Sequence, residues 1–177
     1  MIRITGGEFR SRLLKTPSTS LTKPTMDKVR AAIFSALGEI IEGGVVLDLF
    51  AGSGSYGFEA LSRGARSATF VDSSFEAIKV ITENATNLKT ENIHICHDDV
   101  LSFLDKNTKE FSVIFVDPPY KLDVYETIVN KVILNNFLED NGVLVLESER
   151  ELNINEGLFK SVRFYKYGLA KVYILRK

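Results

Sequence analysis

Cysteine and tryptophan are almost missing from this chain: one cysteine, no tryptophan, and only two histidines and four prolines in 177 residues. A lone Cys96 excludes an internal disulfide. Without a Cys-x-x-Cys pair, and with His94 and His97 standing outside any cysteine or histidine cluster, no metal-ligand set is recognisable. Cys96 is expected as a buried strand thiol, and the two histidines as strand-end and loop residues. No apolar run approaches the ~18–20 residues that span a bilayer. The opening "MIRITGGEFRSRLLK" lacks the apolar stretch of a secretory signal, so a cytoplasmic protein with no membrane partner is expected. Internal repeats are absent too. What remains is ordinary for a globular domain, 45% hydrophobic and 25% charged residues, which excludes a disordered chain.

The net charge of −1 conceals an uneven distribution. Residues 1–30 carry seven basic and two acidic side chains, and the other 147 carry 15 and 21. A basic N-terminal segment on a mildly acidic body suggests a polyanion met at one edge. Arg3, Arg10, Arg12, Lys15 and Lys23 are its candidate contacts. Residues 2–16 mix β-branched and basic residues around Gly6-Gly7 and predict a short hairpin. "KTPSTSLTKPT" (15–25) reads as an extended loop. This divides the chain into a basic extension, 1–24, and one domain, 25–177.

Within that domain, strand and helix patterns alternate. A helix is predicted from about Thr25 or Met26, with Val29, Ile33, Phe34, Leu37 and Ile40/Ile41 at helical spacing, stopped by Gly43-Gly44. Apolar runs at 45–50, 67–72, 92–96, 111–117 and 142–148 suit buried parallel strands. Helices are predicted between them at 55–63, 74–88 (stripe Phe75, Ile78, Ile81, Ala85, Leu88), 100–106 and 123–138 (Val124, Ile128, Val132, Leu134 inward). The tail 160–177 reads as two strands turned near Gly168. The sum is a Rossmann-like α/β fold: a mostly parallel seven-stranded sheet with an antiparallel edge and helices on both faces. In such sheets ligands sit at the carboxyl ends of the strands.

The residues at those ends carry the chemistry. "LDLFAGSGSYG" (47–57) contains Gly-x-Gly-x-x-Gly, a weak signal shared by several cofactor sites. No Gly-Lys-Ser/Thr follows, so it is not a phosphate-gripping Walker loop. Asp48 is the discriminating residue. Facing a ligand, its carboxylate opposes a pyrophosphate and favours the sulfonium and ammonium of S-adenosylmethionine; it can instead point into the helix layer. Asp72 can accept from two ribose hydroxyls, or cap the next helix. Asp99 can accept from an adenine amine with the Val100 N–H donating to the ring, or cap the helix from 100. Gly57 can serve only close packing.

"FSVIFVDPPY" (111–120) ends a strand with an acid, two prolines and an aromatic. Each proline holds the residue before it extended and lacks an N–H. Asp117 and the Pro118 carbonyl thus form two acceptors beside the flat ring of Tyr120. That set matches an exocyclic NH₂ on a stacked base. Hydrogen bonds to both N–H groups stabilise positive charge as the nitrogen attacks a methyl group, and the base must leave its stack to be held so.

"DLFAGSG" followed by "DPPY" resembles the amino-methylating S-adenosylmethionine-dependent methyltransferases. "IRITGGEFRSRLLKTP", "KPTMDKVRAAIFSAL", "LDLFAGSGSYGFEALSRGA" and "FVDPPY" together resemble the RsmD family of bacterial 16S ribosomal RNA guanine-N2 methyltransferases, over nearly the whole chain. The resemblance implies an S-adenosyl-L-methionine site lined by Asp48, Gly52, Gly54, Asp72 and Asp99, to which Phe50 and Val100 are added as further candidate contacts. It also implies a guanine held by Asp117, Pro118 and Tyr120. The partner would be 16S rRNA or the small ribosomal subunit, gripped by the basic N-terminal segment of an expected monomer. The chain departs from the family at Lys23-Pro24-Thr25 (usually Arg-Pro-Thr), Arg10-Ser11-Arg12 (usually Arg-Gly-Arg) and Asp72 (often Glu). Rival readings are an adenine-N6 nucleic-acid methyltransferase, an NAD oxidoreductase and a catalytically silent RNA-binding protein.

Overall fold

In a computed structural model, which describes residues 1–18, 24–119 and 121–177, the apolar runs become the centre of a sheet. The chain begins with β1 (Ile2–Arg3) paired antiparallel to β2 (Leu13–Leu14). Then follow α1 (Pro24–Leu37), β3 (Val45–Leu49), α2 (Ser55–Ser62), β4 (Ser67–Asp72), α3 (Phe75–Leu88) and β5 (Ile93–His97). After α4 (Val100–Lys106) come β6 (Phe111–Val116), α5 (Tyr125–Leu134), β7 (Leu138–Ser148), β8 (Ser161–Tyr167) and β9 (Ala170–Arg176).

The seven-stranded sheet has the order β5-β4-β3-β6-β7-β9-β8, parallel except where β9 meets β7 and β8. The central strands β3, β4 and β6 are apolar on both faces because helices cover both. Alternate residues feed two cores. Val46, Phe70, Val113, Phe115 and Val145 pack under α1, α2 and α3. Leu47, Val71, Ile114 and Leu146 pack under α4 and α5. The chain runs outward through β3, β4 and β5, then crosses back to place β6 on the other side of β3. That reversal opens a crevice at the carboxyl ends of β3 and β6.

Four expectations are corrected. The first long helix ends at Leu37 rather than Ile41, because Gly38 takes φ +63° and a 3₁₀ turn carries the chain on. The helix expected over 123–138 is only α5, since Asn136 turns left-handed (φ +54°) and β7 begins at Leu138; Leu134 is consequently exposed. Phe75, placed in the buried stripe of α3, is 72% exposed. It occupies the first helical position, beside the His97 ring at the end of the edge strand (centroids 6.0 Å apart), and belongs to neither core among the described residues. Cys96 is half-buried rather than buried, because β5 is an edge strand.

The N-terminal hairpin is fastened to the body rather than free. Ile2, Ile4 and Leu14 join the core under α1. Its polar anchor is Glu59 of α2, fully buried, which accepts from the Thr5 N–H (2.8 Å), the Gly6 N–H (2.9 Å), the Thr5 hydroxyl (2.7 Å) and Arg63 Nε (2.8 Å). Arg30 Nε also reaches it at 3.3 Å, while the same guanidinium donates to Asp27 and to the Arg3 carbonyl. Part of the basic excess of residues 1–30 is therefore internal: Arg30 is buried and paired. Ser11, where the resembled family has glycine, sits at φ +71°, a left-handed conformation that costs a non-glycine residue about 1 kcal/mol.

Candidate active site

The glycine loop follows from β3 directly. Phe50 leaves the strand at φ +60° and Gly54 stands at φ +77°, so the backbone folds back on itself and α2 starts at Ser55. Gly54 has a second constraint, since a Cβ there would lie 2.6 Å from the Phe58 ring. At Gly57 it would lie 2.2 Å from the Phe70 ring. The third glycine of the fingerprint is thus needed for helix–sheet packing. At Gly52 the nearest atom to a Cβ would be the Phe50 carbonyl oxygen at 3.9 Å, so that face of the loop is open.

Asp72 holds this loop. One carboxylate oxygen accepts from the Gly52 N–H and the other from the Ser74 N–H, both at 2.8 Å. A carboxylate offers about four acceptor sites, so one lone pair on each oxygen is left for a vicinal diol. The group is half-buried. These free acceptor sites fit the hydroxyls of a nucleoside cofactor's ribose. Capping of α3 falls instead to Ser74. Asp99 is exposed and caps α4, accepting from the Ser102 N–H at 3.0 Å, and Val100 opens that helix with its side chain buried.

Asp48 does not face the ligand as its electrostatic reading expects. It is 2% exposed and points into the helix layer, accepting from the Gly57 N–H at 2.9 Å. Val46 and Phe115 share its face of the sheet, so the alternation of β3 dictates this direction. Burial pushes its carboxyl up to about 8, opposed by the Gly57 N–H, with Asp72 raising it further and Arg30 lowering it. Between about pH 4 and 8 the unfolded chain releases this proton and the folded chain keeps it. Stability present at low pH is therefore lost as pH rises through that window. Asp48→Asn keeps an acceptor for Gly57 and has no proton to lose. Its thermal unfolding is expected to show a gain of about 2–4 kcal/mol at pH 7 that shrinks towards zero near pH 4; a constant difference across that range would contradict the burial argument.

Asp117 and Pro118 follow the last residue of β6. Asp117 is half-buried and Pro118 buried. Among the described residues no donor is bonded to the Asp117 carboxylate or to the Pro118 carbonyl, whereas the Pro119 carbonyl is engaged by the Leu122 N–H at 2.8 Å. Two acceptors are thus left over at the crevice. Tyr120 and Lys23, both candidate contacts, lie outside the described residues.

Sequence reasoning passed over a second acid here. Val116 pairs with Leu146 in the parallel β6–β7 ladder, so the next residues, Asp117 and Glu147, lie side by side. Both alternate with residues of the core under α1 and α2, and so share that face. The Tyr56 hydroxyl donates to Glu147, and its ring stacks on Phe115 with centroids 4.8 Å apart. Tyr125 donates to the Glu147 carbonyl at 2.8 Å. Burial, then the charges of Glu147, Asp48 and Glu149, hold the Asp117 carboxyl well above the usual carboxylate range. Glu147 is also raised by burial, against the Tyr56 hydrogen bond and Arg30. The available signal was positional: "VLVLES" ends an apolar strand with an acid, as "VIFVD" does.

The basic candidates scatter. Arg10 and Arg12 are exposed, and Arg12 donates to the Asn87 carbonyl at 2.6 Å, at the end of α3 remote from the crevice. Arg3 is exposed and reaches the Ser11 carbonyl at 3.4 Å. The Lys15 ammonium pairs with Glu83 at 2.9 Å. The backbone of Lys15 is bonded to Asn84 through both its N–H (2.8 Å) and its carbonyl (3.0 Å), and the Asn84 amide also donates to the Ser53 carbonyl of the glycine loop at 3.1 Å. Among the described residues no helix is long and apolar enough to cross a membrane.

Residues 2–176 match the family model described as "Conserved hypothetical protein 95". The chain is 36% identical over 150 residues to the Ribosomal RNA small subunit methyltransferase D of Escherichia coli (strain K12), covering 85% of this chain and 76% of that protein. Among solved structures, a hypothetical protein of Thermus thermophilus, TTHA0928, has a TM-score of 0.86 at 27% identity, with 100% of both chains covered. The T. thermophilus 16S rRNA N2 G1207 methyltransferase RsmC, solved with AdoMet and guanosine, has a TM-score of 0.76 at 23% identity, covering 99% of this chain and 49% of that one. At that identity the likeness speaks for the fold alone.

Proposed function

Because this chain belongs to the RsmD family of 16S rRNA methyltransferases, we propose that it methylates the exocyclic N2 of one particular guanine in 16S rRNA, using S-adenosylmethionine. The observation that carries the finer reading is the pair of unengaged acceptors, Asp117 and the Pro118 carbonyl, at the switch point beside the glycine loop. When bound, S-adenosylmethionine supplies an electrophilic methyl group on a sulfonium. Asp72 orients the ribose through its two remaining acceptor sites, the open face of Gly52 lets the backbone approach, and Asp99 with Val100 stands at the adenine end.

The protein's part in the reaction is to hold an amine. The guanine N2 lone pair is delocalised into the ring. Accepting both N–H bonds at Asp117 and Pro118 localises it and stabilises charge developing on nitrogen. The proton then leaves nitrogen for Asp117 or for water. Fixing the attack distance supplies the rest of the acceleration. Every proposed contact comes from one chain, so a monomer working in the cytoplasm suffices.

The test is product identity. The protein is incubated with labelled S-adenosylmethionine and 16S rRNA, assembled small subunits or duplex DNA, and the digested product is separated into nucleosides. Label in N2-methylguanosine from one position is expected. Label in N6-methyladenosine would overturn the base assignment, and label in DNA would overturn the substrate class.

A further inference from the structure

The C-terminal hairpin has a charge pattern that the methyl-transfer chemistry does not use. Residues 160–177 contain six basic side chains and no acid. None of the six pairs with a carboxylate among the described residues. Lys166 and Lys171 are directly opposed in the β8–β9 ladder, one residue pair before the turn at Gly168-Leu169. Like charges facing each other across two strands are destabilising. The Lys171 ammonium is met only by a backbone carbonyl, that of Glu149, and Lys166 is exposed.

Register places this pair at the reaction edge. Ser148 of β7 pairs with Lys171, and Glu147 with Val172, which itself pairs with Tyr165. One row across the sheet therefore runs from Asp117 through Glu147 and Val172 to Tyr165, and the lysines lie one step nearer the edge, where strand alternation turns their side chains to the opposite face. At about 4.8 Å per strand, β8 lies roughly 14 Å from Asp117, a span of about four nucleotides at 3.4 Å per charge. Leu169 at the turn is 70% exposed, and Phe164, opposite Tyr173 further along the hairpin, is 48% exposed. The N-terminal Arg10 and Arg12, by contrast, sit towards the far ends of α2 and α3.

We propose that the β8–β9 hairpin is an RNA-contacting surface, in which opposed Lys166 and Lys171 hold phosphates flanking the target base. This rests on the rRNA reading above. An anionic backbone relieves the repulsion that the free protein carries, and the exposed apolar turn offers a face to unstacked bases. An edge strand can also carry lysine simply to discourage pairing with another copy. That role calls for a polar edge, and Leu169 and Phe164 depart from it.

The double variant Lys166→Gln/Lys171→Gln separates the two. Binding to purified 16S rRNA is measured over a salt series, with S-adenosylmethionine affinity and thermal midpoint in parallel. Expected are about tenfold weaker RNA binding near physiological salt, a salt slope lower by about 1.4–1.8, unchanged cofactor affinity, and a thermal midpoint unchanged or higher. Lys166→Arg/Lys171→Arg restores the slope. Unchanged affinity and slope in a variant of an active wild type would overturn the hairpin assignment alone. Self-association of the glutamine variant with unaltered RNA binding would assign the lysines to edge protection and also overturn it. A wild type that neither binds nor methylates rRNA or small subunits would remove the underlying reading, and this proposal with it.

Discussion

Asp117→Asn is expected to reduce methyl transfer by a factor of roughly 10²–10³ or more while leaving S-adenosylmethionine affinity within a few-fold. The first half follows from charge. Asparagine presents one neutral acceptor and an NH₂ that repels the donor it must receive, at the position where positive charge develops. The second half follows from place, because the glycine loop proposed to hold the cofactor is built from β3 and β4 and anchored by Asp72, not by β6. Asp72→Ala gives the opposite pattern: the Gly52 N–H loses its partner and the cofactor dissociation constant rises. Calorimetry of both variants with S-adenosylmethionine, beside single-turnover methylation, reads the two effects separately; equal loss of cofactor binding in both would place Asp117 in the cofactor site instead.

The same carboxylate gives the reaction its acid limb. Asp117 opposes the developing positive charge, and can take the amine's proton, only when ionised, and burial with Glu147, Asp48 and Glu149 around it holds its proton to unusually high pH. Activity should therefore appear as pH rises through a point above the normal carboxylate range. Tyr56, Arg30 and Tyr125 also bear on the pair, through Glu147 or directly. Glu147→Gln removes one negative neighbour, so the limb moves to lower pH. A purely structural Glu147 would lower activity at every pH without moving the limb.

The largest loss of stability is expected from Glu59→Ala. Five donors converge on that buried carboxylate, and Arg30, 3% exposed, is left with the partly exposed Asp27 as its one carboxylate partner among the described residues. Breaking one side of a buried pair costs about 3–5 kcal/mol, or roughly 10 °C or more in thermal midpoint for a chain of this length. Glu59→Gln retains an acceptor for Thr5 and Gly6 and should lose less. Thermal melts with limited proteolysis of residues 1–18 measure both halves of the expectation. A loss under about 1 kcal/mol would mean that the hairpin is held by its apolar residues alone.

Much of this architecture is legible in the sequence because its signals are local. Apolar runs mark β3, β4 and β6, glycines mark the turns, and the acids at strand ends mark the crevice. Where reading failed, the decisive partner lies far along the chain. Asp48 reads as a ligand carboxylate until the alternation of β3 turns it under α2. Glu147 reads as the end of a strand until the β6–β7 register sets it beside Asp117. Glu59 sits in a helix apolar on every side, "YGFEALS", and an acid there must be buried and paired; Arg63, four residues on, is the local donor, but the others come from residues 5, 6 and 30 and were not nameable. Phe75 failed for the converse reason, since periodicity extends a stripe to the first residue of the helix, which among the described residues lies outside both cores.

The fastening of the N-terminus also orders events during synthesis. Thr5 finds its acceptor 54 residues later, at Glu59, and the Lys15 backbone finds Asn84 69 residues later. The opening segment thus emerges from the ribosome well before the helices that receive it, and contacts this distant in sequence close slowly. Residues 5 and 6 must wait for α2, and Lys15 for α3. A segment translated before α2 and α3 is thus secured only after them, and the Asn84 bridge to Ser53 then fixes it against the glycine loop.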